Sequence, residues 1–85
     1  MKPLAIYLDR NCISIAKLAR ESGLPATSIY QYTSGRGDVM NMGIGAFMKL
    51  AHALGMTADE FAKELQAIER EKQLLYSTID LQDEQ

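Results

Sequence analysis

The chain has 85 residues, a net charge of −2, nearly half of its residues apolar and a single cysteine. That length allows one domain with a small core, and one cysteine excludes an intramolecular disulfide. Neither Cys12 nor the only histidine, His52, lies at zinc-type spacing, so no metal and no cofactor is expected. No nucleophile stands near a base and no carboxylate pair sits in an apolar setting, so no catalytic residue is assigned and an enzyme is not expected. The opening MKPLAIYLDRN holds an apolar stretch too short for a signal peptide or a membrane span, which predicts a cytoplasmic protein without a membrane partner.

Breakers are few and no run alternates β-branched with polar residues, so the fold class is all-α. Pro3 suits the first turn of a helix running to about Arg10, with Leu4, Ile6, Tyr7 and Leu8 on its apolar side. Ser14 is a good N-cap for a helix over Ile15 to Glu21, although Lys17 stands where a capping box needs a carboxylate. Gly23 ends that helix in the left-handed conformation and Leu24-Pro25 turns the chain. A further helix, about Ala26 to Thr33, stops at Ser34-Gly35. Leu18, Ala19, Leu24, Ile29 and Tyr32 fall where the two crossing helices face each other. Ala26, Thr27, Tyr30, Gln31 and Ser34 then point outward, a short uncharged face suited to base edges.

Residues 36–43 read as an irregular loop, and neither its Arg-Gly-Asp nor Gly43-Ile44-Gly45 sits in a context that gives it function. Ile44 to Leu54 has Phe47, Leu50, Ala51 and Leu54 at helical spacing, ended by Gly55. Thr57-Ala58-Asp59-Glu60 is a capping box opening a long helix to about Ser77, with Asp80 to Gln85 fraying. Along it Ile68, Lys72, Leu75 and Ile79 continue one face, beside Leu74 and Tyr76. That stripe predicts folding back on the first helix or pairing with the same helix of a second chain, and pairing is the favoured expectation.

The segment KLARESGLPATSIYQYTSGR, followed by IGAFMKLAHALGMTADEF, resembles the helix-turn-helix of the phage Cro and repressor family, the XRE-type regulators, over most of residues 4–66. The resemblance implies a five-helix lambda-repressor-like DNA-binding domain in residues 1–66 with a long C-terminal helix, extended by residues 67–85. It implies a double-stranded DNA partner, with the helix over 26–33 in the major groove and the preceding helix crossing the backbone. Gln31 then pairs with adenine and Thr27 meets a base, while Ser28 and Tyr30 reach the backbone and Ala26 and Ser34 line the same face. Arg36, just past that helix, is the phosphate clamp. Ser14, Ile15 and Lys17 lie at the other helix start, where backbone amides suit a phosphate. Ile15 replaces the glutamine common at that position in the family, which removes one polar contact.

Charge is divided unevenly. Residues 1–57 carry six basic against three acidic residues, +3, and residues 58–85 carry three against eight, −5, which together give the −2 of the chain. The positive half holds the helix-turn-helix segment, although +3 is thin for phosphate binding. These features predict a sequence-specific transcriptional regulator, a repressor, acting as a homodimer. The alternative expectation is an antitoxin-like or other protein-interaction module, its acidic helix holding a basic toxin or other partner.

Overall fold

The computed structural model describes residues 2–83, with side chains for residues 2–75. Its elements in order are α1 (Pro3–Arg10), α2 (Ile15–Ser22), α3 (Ala26–Thr33), a 3-10 turn (Val39–Asn41), α4 (Ile44–Ala53) and α5 (Ala58–Asp83). The fold is all-α, with no strand among the described residues.

Each boundary has a local cause. Pro3 occupies the first turn of α1, where its missing N–H costs nothing. The Ser14 hydroxyl accepts from the Lys17 backbone N–H at 3.1 Å and caps α2. Gly23 follows at φ +77°, a conformation nearly free for glycine and strained for other residues. The capping box of α5 is complete and reciprocal. Glu60 N donates to Thr57 Oγ1 and Thr57 N to Glu60 Oε1, both at 3.1 Å.

Spacings of three and four put the apolar residues on single faces: Leu4 and Leu8 on α1, Phe47 with Leu50 and Ala51 on α4, Phe61, Leu65 and Ile68 on α5. With Leu18 of α2 and Ile29 of α3 all of these but Phe47 are buried, each large one worth about 1.5–3 kcal/mol in transfer from water. Phe61, wholly buried, lies 4.9 Å from the Phe47 ring and 6.3 Å, edge-on, from the Tyr7 ring. It thereby joins α5 to α4 and α1. Helix α2 packs on α3 and α4, and α1 packs on α3 and α5.

Three expectations are corrected. The loop over 36–43 is not wholly irregular: Asp38 Oδ1 accepts from Met40 N at 3.0 Å, starting the 3-10 turn that buries Val39. Phe47 and Leu54 are half-buried rather than buried, because they border the core. Helix α5 runs through Asp83, beyond the expected end at Ser77 and through part of the expected fraying, since no Gly or Pro interrupts it.

The first part of the α5 stripe folds back on α1. Ile68 is buried, Lys72 is half-buried, and Arg10 Nη2 of α1 pairs with Glu71 Oε2 at 2.9 Å. Exposed apolar surface begins at Leu74 and Leu75. The side chains of Tyr76 and Ile79 lie outside the described residues, as do Glu84 and Gln85 altogether. No helix of the described residues is long and apolar enough to cross a membrane.

Thr57→Ala removes half of the capping box and is expected to lower unfolding free energy by about 1 kcal/mol in urea titrations. Alkaline pH tests the Tyr7 setting. Burial, and secondarily the Glu64 carboxylate, raise its phenol above the ordinary value of 10.0. The folded state therefore holds the proton more tightly than the unfolded chain. The associated stability is complete below pH about 10 and is lost as pH rises through the raised value. Tyr7→Phe is expected to flatten that alkaline loss in denaturation curves followed by circular dichroism.

Candidate nucleic-acid interface

The α2–turn–α3 unit is held by short-range bonds and buried apolar contacts. Gly23 N donates to Ala19 O at 2.9 Å, and the Ser22 hydroxyl accepts from Leu24 N at 3.2 Å while donating to Ala19 O at 3.4 Å. Pro25 O then accepts from Ser28 N and Ile29 N, closing the first turn of α3. Leu18 and Ile29 are buried, with Ala19, Leu24 and Tyr32 packed against the same core, which fixes how α3 sits on α2.

The rest of α3 faces outward as its sequence predicts. Ala26, Thr27, Tyr30, Gln31 and Ser34 are exposed, and Tyr30 is 57 % accessible despite its size. The side chains of Thr27, Tyr30, Gln31 and Ser34 have no hydrogen-bond partner among the described residues, so their donors and acceptors stand open to a ligand. Ser28 is only half-buried. Thr33, by contrast, is turned in, its hydroxyl donating to Tyr30 O at 3.1 Å.

Residues around α3 divide by availability. Arg36, Lys17 and Arg20 are exposed, and none forms an ion pair among the described residues. The Ser14 hydroxyl accepts the α2 cap bond, which leaves its proton to donate. The Ile15 side chain packs against the core, so any contact from that position comes through its backbone amide.

One contact was not legible in the sequence. The Lys2 ammonium donates to Gly37 O and, at 3.4 Å, to Gln31 O, which also accepts from Gly37 N at 3.1 Å. A cation thus meets carbonyls at the C-terminal end of α3, where the helix dipole favours positive charge. Thirty-five residues of sequence separate the partners, and no local pattern encodes the bond. Gly35 allows the chain to leave α3 close to its own last turn, since a Cβ there would lie 2.8 Å from Gln31 Cα.

Among the described residues no group of three or more His, Cys, Asp or Glu is gathered as for a metal. No protein-family model, curated protein or solved structure matches the chain.

Gly35→Ala is expected to cost more than about 1 kcal/mol, because the neighbour it meets is backbone that cannot swing aside. Gly45→Ala, where a Cβ meets nothing within 4 Å inside α4, is expected to be neutral or stabilising. Thermal melts of the two variants read both outcomes.

Proposed function

We propose that the chain is a sequence-specific double-stranded DNA-binding regulator that inserts α3 in the major groove. The observation that carries this reading is the outward face of α3: exposed, free of acidic residues and rich in uncommitted hydrogen-bonding groups, on a helix held firmly against α2. Gln31 has the two-pronged amide that matches adenine, and Thr27 offers a hydroxyl and a methyl. Arg36, Lys17 and the hydroxyls of Ser14 and Ser28 are the phosphate and backbone contacts, and Tyr30 adds a sugar or phosphate contact. Its resemblance to the Cro and repressor family supports the same docking. In this reading the protein is a cytoplasmic binding protein rather than an enzyme, and it represses by covering a promoter. Pairing of α5 between two copies would give two half-sites about 34 Å apart.

A second reading is favoured by one observation, the acidic imbalance of residues 58–85 beside the exposed Leu74 and Leu75. It makes α5 a holder for a basic protein partner, as in antitoxins, with or without DNA binding by α3.

Fluorescence anisotropy on duplex DNA at two salt concentrations tests the first reading. Wild type is expected to bind more weakly as salt rises. Arg36→Ala is expected to weaken every duplex to a similar degree and shallow the salt slope by about 1. Gln31→Ala is expected to cost about 1–3 kcal/mol on the preferred duplex and to blur the preference. Absence of binding at low salt overturns the DNA reading and leaves the partner-holding one.

A further inference from the structure

A cleft of about 480 Å³ opens between the start of α1, the end of α3, the 3-10 turn and the middle of α5. That volume is within the range of small-molecule sites, about 300–1,000 Å³. Its accessible apolar surface comes from Pro3, Tyr32 and Met40, over a floor of the buried Leu4, Val39 and Leu65, so the space belongs to the tertiary fold.

Four charged residues also line it: Lys2, Asp38, Glu69 and Lys72. Two are committed within the protein. Lys2 donates to the Gln31 and Gly37 carbonyls, and Asp38 accepts from Met40 N. The other two, Glu69 and Lys72, are half-buried and have no ion-pair partner among the described residues. They lie three residues apart on α5, on neighbouring positions of one helix face, yet do not bridge each other. Both charged groups are thus open to a ligand, and a charge-assisted hydrogen bond to each is stronger than a neutral one.

We propose that this cleft binds a small zwitterion with an apolar body, an apolar α-amino acid being the simplest such molecule. Its carboxylate meets the Lys72 ammonium, its ammonium meets the Glu69 carboxylate, and its side chain lies against Pro3, Tyr32 and Met40. A simple anion leaves Glu69 unanswered and a simple cation leaves Lys72 unanswered. The site does not depend on DNA binding, although Tyr32 and Lys2 make it continuous with the end of α3.

Isothermal calorimetry on the full chain without DNA tests this, using phenylalanine against hydrocinnamate, which lacks the amine, and phenethylamine, which lacks the carboxylate. Phenylalanine is expected to bind at least about tenfold more tightly than either analogue, the scale of one lost charged hydrogen bond. Glu69→Gln is expected to remove the preference over hydrocinnamate, and Lys72→Gln the preference over phenethylamine. Gln66→Trp, at an exposed position lining the same cleft, is expected to abolish binding while leaving the melting curve in place. No measurable heat with millimolar phenylalanine overturns the proposal. Equal binding of all three probes, or undiminished binding by the Gln66→Trp variant, overturns it as well.

Discussion

The burial of Phe61 is the interaction on which the rest of the structure depends. Its ring lies against Phe47 of α4 and Tyr7 of α1, and it begins the Phe61–Leu65–Ile68 face of α5. A chain this short has one core, so each helix is stable only through the others. Helices α2 and α3 have eight residues each, below the length at which an isolated helix holds in water. Their geometry is therefore borrowed from the core, through α2 on α4 and α1 on α3. The outward face of α3 is rigid because its inward face, Ile29 with Tyr32 behind it, is anchored there.

The same dependence divides the surface. Around α3, basic side chains stand without acidic partners, whereas both ion pairs among the described residues, Lys63–Asp59 and Arg10–Glu71, involve α5. Both pairs are exposed and contribute little to stability. Their consequence is in where charge remains uncompensated. Potential around α3 is left to Lys17, Arg20 and Arg36, while on α5 Glu60, Glu64 and Glu69 stand outside any ion pair among the described residues. The outward face of α3 and the exposed Leu74 and Leu75 of α5 thus occupy different parts of the molecule.

Much of the fold was legible because its signals are local. Proline at a first turn, serine and threonine caps, and the stops at Gly23 and Gly55 each act within one turn of helix. The α2–α3 pair was legible because its facing residues, Leu18 and Ile29, are only 11 positions apart and flank the Gly23–Pro25 turn. The burial of Val39 was not. It follows from an Asp38 side chain folding back on Met40 N inside a stretch without periodicity, so the pattern that marks a buried helix residue was missing. How far α5 lies on α1 was not legible, because a continuous stripe does not say where its covering surface ends.

Local sequence signals were enough for the five helices, the Ser14 and Thr57 caps, the inward set on α2 and α3 and the exposed residues of the candidate interface. Periodicity and turn chemistry are properties of neighbouring residues and act before the chain is compact. Packing alone decided that Lys2 closes the end of α3, that Ile68 is buried along with Leu65, and that Glu69 and Lys72 share a cleft with Tyr32 and Val39. Those outcomes join residues about thirty or more positions apart, and contacts at such separation exist only once the helices have packed on their common core.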